Sequence, residues 1–245
     1  MNETVRALLE RKSVRAFTEE PISAQAEELI LRAACEAPTA GNQQLYSILR
    51  ITDPALKAAL AENCDHQPFI AAAPLVLVFV TDVLRWYDAF REAGCEPRRP
   101  GAGDLLLAAE DTMIAAQNAV TAAWSLGIGS CYIGDILEQR ETQRELLGLP
   151  EYTVPLGMLV FGYPTEQQKN RPKPARHALS NIVMENRYTR RDGAALRRMY
   201  AEKAGTQGYD AWMQAFCKRK WNSDFSREMQ RSAGEYTAEY VQPEK

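Results

Sequence analysis

The sequence predicts a three-layer sandwich of the α+β or α/β class, with strands interleaved between helices. Three observations carry this reading. Residues 75–80 are continuously apolar and largely β-branched, and residues 154–161 form a second such run, as in strands buried on both faces. Residues 105–126 form a long helical window that is apolar on most sides. Between these stretches, capping residues and Gly or Pro breaks alternate with helical patterns.

Taken in order, residues 4–10 are a short amphipathic helix, and Arg11-Lys12-Ser13-Val14-Arg15 then runs extended into Ala16-Phe17-Thr18. Ser23 caps a helix to residue 37, with Leu29, Ile30 and Ala33 on one face. Pro38 stops it and opens the loop Pro38-Thr39-Ala40-Gly41-Asn42. Residues 46–52 read as a strand of mixed alternation, and Asp53 caps a helix to residue 60. The stretch 84–103 is polar, contains Pro and Gly, and reads as a surface excursion. In the long helix that follows, seven alanines permit close helix approach, in a core or in the middle of a dimer. Gly127-Ile128-Gly129 ends it, a strand follows at 130–133, and another helix at 137–147. Beyond Tyr163-Pro164 the chain turns polar and Pro-rich, with Arg171-Pro172-Lys173-Pro174 and a short helix at 180–186. From residue 194 to the end it reads as helices joined at Gly205-Thr206-Gln207-Gly208, with large apolar side chains from Tyr200 to Tyr240. These are too interspersed with charge for a core of their own. The reading is a helical arm that packs on the body or on a second subunit.

Composition narrows the function. A chain of 245 residues accommodates one large domain, or a domain with an appendage. A formal net charge of −3 argues against nucleic acid or an anionic membrane as the main partner. The N-terminus carries no secretory pattern, and the long helix is interrupted by Glu110, Asp111, Gln117 and Asn118, too polar to span a bilayer. Five scattered cysteines with no Cys-x-x-Cys pair suit a reducing cytoplasm, and two histidines outside any His/Cys cluster argue against zinc.

Four stretches carry possible chemistry. In an extended segment Arg11, Ser13 and Arg15 line one side. Two guanidinium groups flanking a hydroxyl suit a phosphate dianion, though a short basic run is also an ordinary solvated surface. The loop from Ala37 to Gln44 offers a hydroxyl and three amides, which match the donor and acceptor edge of a heterocycle such as a flavin ring; a polar helix-to-strand turn has the same composition. Gly127-Ile128-Gly129-Ser130-Cys131-Tyr132-Ile133-Gly134 leaves a helix and enters a strand, the reverse of a Rossmann fingerprint, so that reading is rejected. Arg171 and Lys173 are alternate basic residues held extended by prolines, able to complete a phosphate site or to form a basic surface loop. A P-loop, a Gly-x-Ser-x-Gly elbow and a supported Ser/His triad are all missing from the sequence.

The order of these motifs resembles the FMN-dependent nitroreductase superfamily, and within it the NADPH-type oxygen-insensitive nitroreductases and flavin reductases. Phe-Thr-Glu-Glu-Pro-Ile-Ser, Leu-Arg-Ile-Thr-Asp, Glu-Asn-Arg-Tyr and the long C-terminal extension fit that group. The resemblance covers the chain well to about Tyr188 and loosely beyond. It implies an α+β, nitroreductase-like three-layer sandwich with a mostly antiparallel central sheet. Residues 1–188 would be the FMN-binding domain and 189–245 a helical extension. It also implies a homodimer with two FMN sites at the interface. Carried over, Arg11, Ser13, Arg171 and Lys173 hold the phosphate, with Lys12 beside them. Arg15 and Gln67 lie near the ribityl chain and the pyrimidine side of the ring. Tyr132, Ile133 and Gly134 pass along the isoalloxazine, and Thr39 and Asn42 reach in from the other subunit.

The implied reaction is ping-pong. A hydride passes from NADPH or NADH to flavin N5, and the reduced enzyme then acts on a nitroaromatic, a quinone or free flavin. No catalytic side chain is required of the protein. Arg15 is the expected electrostatic tuner, a fixed guanidinium favouring a negatively charged reduced flavin. The arm loop Ala204-Gly205-Thr206-Gln207-Gly208-Tyr209 lacks the arginines with which the NADPH-type group is expected to grip a 2′-phosphate; Lys203, Lys218, Arg219 or Lys220 are the candidate substitutes. Alternatives on the same fold are reductive dehalogenation, flavin destruction or non-catalytic FMN binding.

Overall fold

The computed structural model describes residues 1–241; the last four residues of the expected helical arm lie outside the described residues. The chain divides into two compact units, one comprising Met1–Arg171 together with the chain from Met229 on, the other Pro172–Glu228. The boundary expected at 188/189 falls inside the second unit.

In the first unit the N-terminal helix α1 (Glu3–Glu10) is capped by Asn2, whose Oδ1 accepts the Val5 N–H at 3.0 Å. Helix α2 (Ala24–Cys35) starts at Ser23, whose hydroxyl accepts the Ala26 N–H. Strand β1 (Tyr46–Ile51) leads to α3 (Pro54–Asn63), capped by Asp53 with Pro at its first position. The one-turn helix α4 (Pro68–Ala71) precedes β2 (Leu75–Asp82). Helices α5 (Leu84–Glu92) and α6 (Ala102–Ser125) follow, then β3 (Gly129–Ile133), α7 (Arg140–Leu147), β4 (Thr153–Gly162) and α8 (Glu166–Asn170).

The four strands form one sheet in the order β1-β2-β4-β3, every pair antiparallel. The architecture is therefore α+β, with the long α6 and α2 on one side. Alternation along β2 explains the three layers. Leu75, Leu77 and Phe79 enter one core with α2 and α6 residues, while Val76, Val78 and Val80 enter the other with Leu60, Ile70 and Ile136. Both faces are dry, so the strand reads as an unbroken apolar run. Pro155, which cannot donate to a ladder, sits where the β2–β4 register shifts between Phe79 and Val80. Buried Ala108, Ala115, Ala116, Ala119 and Ala123 let α6 lie close to its neighbours.

The stretch 84–103, expected as a polar surface excursion, is helical in its first half, as α5. Leu84 and Trp86 pack on a third core with Leu45, Val83, Tyr152, Tyr236 and Tyr240. Trp86 and Phe90, four residues apart with ring centroids 5.6 Å apart, are the helical signal that the surrounding charges obscured.

The second unit holds the short α9 (Leu179–Ile182), α10 (Gly193–Ala204), α11 (Tyr209–Lys220) and the start of α12 (Asp224–Val241). Among its described residues only Ala204 is a buried apolar side chain, and Trp221 is 79% exposed. Tyr200, Trp212 and Phe216 stack in series. The end of α12 belongs instead to the first unit, where Tyr236 and Tyr240 are buried and Glu239 pairs with Arg140 and Arg144. Among the described residues no helix is long and apolar enough to cross a membrane.

Candidate active site

Segment 11–17 lies along the free side of β3. Ser13 bridges Ser130, and the Val14 N–H donates to the Ser130 carbonyl at 2.9 Å. The glycines explain why it can. Gly129 and Gly162 are register partners across β3 and β4. A Cβ on Gly129 would come within 2.6 Å of a Val14 methyl, and one on Gly162 within 2.7 Å of the Phe17 ring. Two absent side chains thus make the floor on which Val14 and Phe17 rest, and Val14 is 1% exposed.

With Val14 turned inward, Arg11, Ser13 and Arg15 share the opposite face. All three act on the Cys131 thiol: burial pushes its pKa up, and Arg15, the Ser13 hydroxyl and Arg11 oppose that rise. The Arg171 guanidinium reaches the same place, Nη2 donating to the Ser13 carbonyl at 2.6 Å. Lys12 points elsewhere. Its ammonium donates to the carbonyls of Lys169 and Arg171, so it ties down the segment that presents Arg171. The Arg15 N–H donates to Gln168 Oε1 at 3.2 Å, a second tie to that segment. Lys173 lies in the second unit, two residues past Arg171.

Two guanidinium nitrogens in this cradle, Arg11 Nη1 and Arg171 Nε, are buried without a hydrogen-bond partner. An unmade bond at a buried charged donor costs on the order of 1–3 kcal/mol or more, and two in one cluster call for an acceptor. The donor set, two guanidinium groups and a hydroxyl, fits the phosphate of FMN.

At the end of β3, Gly134 is exposed and a Cβ there would meet nothing within 4 Å. Ile133 is buried in the core beneath, and the Tyr132 ring packs towards α6, where burial pushes its hydroxyl up to about 12. With Ile133 buried and no side chain at Gly134, the backbone of these two residues is what faces outward. Gln67 caps α4 and uses both amide protons, donating to the Cys64 carbonyl at 2.6 Å and to Asp135 Oδ2 at 3.1 Å. Its remaining capacity is that of an acceptor.

Thr39 and Asn42 are elsewhere. Their loop leads into β1, at the opposite edge of the sheet from segment 11–17. Three strand spacings separate those edges, roughly 14 Å. Asn42 is exposed, while the Thr39 hydroxyl accepts the Gln44 N–H at 3.1 Å. Sequence reading missed Asp135, Gln168 and the supports of this loop, Arg85, Trp86 and Asp111. The signal for Asp111 was its place among the polar interruptions of the long Ala-rich helix.

A four-stranded antiparallel sheet between helical layers, with a basic cradle along one edge, defines an α+β protein with an anion site. A model of the Nitroreductase family matches residues 8–163, and the chain belongs to that family. It is 37% identical over 200 residues to an oxygen-insensitive NADPH nitroreductase of Salmonella typhimurium, covering 81% of this chain and 80% of that protein. It is 28% identical over 238 residues to an FMN reductase [NAD(P)H] of Bacillus subtilis, covering 96% and 91%. The solved NADPH:FMN oxidoreductase of Vibrio harveyi complexed with NAD+ superposes with a TM-score of 0.81 at 26% identity, covering 96% of this chain and 98% of that one.

Proposed function

We propose that this chain is an FMN-dependent oxidoreductase that takes a hydride from NAD(P)H and passes reducing equivalents to a small-molecule acceptor such as a nitroaromatic, a quinone or free flavin. The observation that carries it is the pair of unpartnered, buried guanidinium nitrogens, Arg11 Nη1 and Arg171 Nε, beside the Ser13 hydroxyl in a Nitroreductase-family chain. The names of its relatives, an NADPH nitroreductase and an FMN reductase, support the reaction class.

Arg11, Ser13 and Arg171 would hold the phosphate. Gln67 would accept from the pyrimidine edge, and the Ile133–Gly134 backbone would line the ring. FMN, when bound, supplies two-electron chemistry, accepting hydride from the nicotinamide and delivering it to the acceptor. The protein binds, orients and sets charge. Arg15 places a fixed positive charge on the cradle's face, favouring the more negative state of whatever lies there.

The enzyme acts as a homodimer in this reading. The loop with Thr39 and Asn42 is at the wrong edge of its own sheet to meet Arg11, so a second chain must supply it. An exposed apolar surface on α6 and α1 is available for that contact, with Leu106 65% and Leu9 59% exposed. Five free cysteines support a reducing, cytoplasmic setting.

The test is the visible spectrum of purified protein before and after anaerobic NADH or NADPH, with its mass by light scattering. A yellow dimer bleached by a nicotinamide is expected. Protein that takes up no added FMN overturns the reading, and flavin that neither nicotinamide reduces makes it a binding protein instead.

A further inference from the structure

The loop 39–45 is backbone that would not adopt its shape unaided. Gly41, Asn42 and Gln44 all have left-handed φ, at 56°, 56° and 51°. For a residue with a side chain that conformation costs roughly 1–2 kcal/mol, somewhat less for Asn. Such strain persists only where surroundings over-determine it.

Here the surroundings are three side chains from far along the sequence. Asp111 on α6 is 3% exposed, and its two carboxylate oxygens accept the N–H groups of Ala40 at 2.9 Å and Leu45 at 3.2 Å, one at each end of the loop. The Trp86 indole N–H donates to the Gln43 carbonyl at 2.7 Å. The Arg85 guanidinium donates to the Gln44 carbonyl. Both belong to α5, in the stretch that sequence reading left without a role.

Resting on the proposed flavin site, we infer that Asp111, Trp86 and Arg85 are positioning residues that preset loop 39–45 for the partner subunit's FMN. The carboxylate holds the two ends of the loop together, and α5 holds its crown. Asn42 and Thr39 are then delivered in one arrangement, and the ordering cost is met on folding rather than on binding. The 84–92 helix is accordingly part of the active-site architecture through the loop it holds.

The experiment uses the full-length protein and the variants Trp86→Phe and Asp111→Asn, each near-isosteric. Trp86→Phe keeps the aromatic packing and removes only the N–H. Asp111→Asn turns one acceptor into a donor facing a backbone N–H. Three quantities are read on each: hydrogen exchange of peptide 38–46, affinity for FMN and for riboflavin, and melting temperature with dimer mass. The clamp predicts faster exchange confined to 38–46 in both variants. FMN affinity should fall about three- to ten-fold in Trp86→Phe, as for one net hydrogen bond, at an unchanged dimer mass. Because the loop amides address the ring rather than the phosphate, riboflavin affinity should fall by the same factor.

Unchanged exchange at 38–46 in both variants overturns the proposal, as does a loosened loop with unchanged affinity for both flavins. If Asp111→Asn fails to fold, Trp86→Phe alone decides by the same criteria. Wild-type protein that binds neither flavin is a different failure, that of the flavin reading itself.

Discussion

The two edges of the sheet each present half of the proposed site, and they are built on opposite principles. At the β3 edge, segment 11–17 pairs its backbone with Ser130 and is seated by shape, with Val14 and Phe17 filling the places where Gly129 and Gly162 lack side chains. At the β1 edge, loop 39–45 is held by polar contacts from Asp111, Trp86 and Arg85. Packing tolerates no added atom but asks little of charge. A polar clamp tolerates modest changes of shape and weakens with each donor or acceptor removed. The β3 edge should therefore break abruptly on substitution and the β1 edge should loosen in steps.

The largest effect expected is at Gly129. Gly129→Ala places a Cβ 2.6 Å and 2.8 Å from two Val14 carbons on a β-branched, stiff side chain. Overpacking of this kind costs about 1–3 kcal/mol, and here it acts on the strand pairing that positions Arg11 and Ser13. Thermal unfolding should show a clear loss of stability, and titration with FMN should show little binding. Gly129→Ala protein with the wild-type melting temperature and wild-type FMN affinity would mean that the close seating is not what holds the segment.

That contrast also explains what could be read in the sequence. The shared face of Arg11, Ser13 and Arg15 was legible because a period of two in one short segment decides which side chains point the same way. Gly129 was legible as part of a glycine motif, but its purpose was not, since nothing local says that Val14 will lie on it. The sandwich was legible because the unbroken apolar runs of β2 and β4 require cover on both faces. Asp111 was visible only as one of four polar interruptions of a long helix, and Trp86 only as an aromatic among charges. Their partners lie 71 and 43 residues away. Contacts of that separation are set by the assembled sheet and not by local pattern. Lys12 shows the same limit: the resemblance set it beside the phosphate ligands, and the fold turns its ammonium onto the carbonyls of Lys169 and Arg171.

A smaller effect is expected from removing a cradle charge without disturbing its seat. Arg11 Nη1 is buried with no partner, so Arg11→Ala should leave the stability of the flavin-free protein unchanged or slightly raised. FMN binding should weaken by about 1–3 kcal/mol, the range for a charged hydrogen bond lost, while riboflavin binding stays as in wild type. Melting curves with and without FMN separate these outcomes. An equal loss of FMN and riboflavin affinity would remove Arg11 from the phosphate and sharpen the β3 edge into a ring-binding surface.

The smallest effect is at Arg15, and it tests whether the β3 edge does more than bind. Its side chain is exposed, yet its charge reaches the Cys131 thiol, where it counters the rise caused by burial. A charge that acts across that face also acts on a ring lying over it. Two unit charges about 4 Å apart at an effective dielectric near 20 interact by about 4 kcal/mol, and exposure to solvent reduces this considerably. If about 1.4 kcal/mol survives as preference for the reduced, more negative cofactor, Arg15→Gln lowers the two-electron potential by about 30 mV. The glutamine keeps a donor, so FMN affinity should change little. Spectroelectrochemical titration of the variant measures the first quantity, and fluorescence titration the second. A lower potential with retained FMN makes Arg15 a tuner. Lost FMN, with the wild-type potential in whatever flavin remains, makes it a third phosphate ligand beside Arg11 and Arg171, and the β3 edge is then purely a binding edge. No change in either would leave Arg15 as a surface charge and confine the function of that edge to Arg11, Ser13 and Arg171.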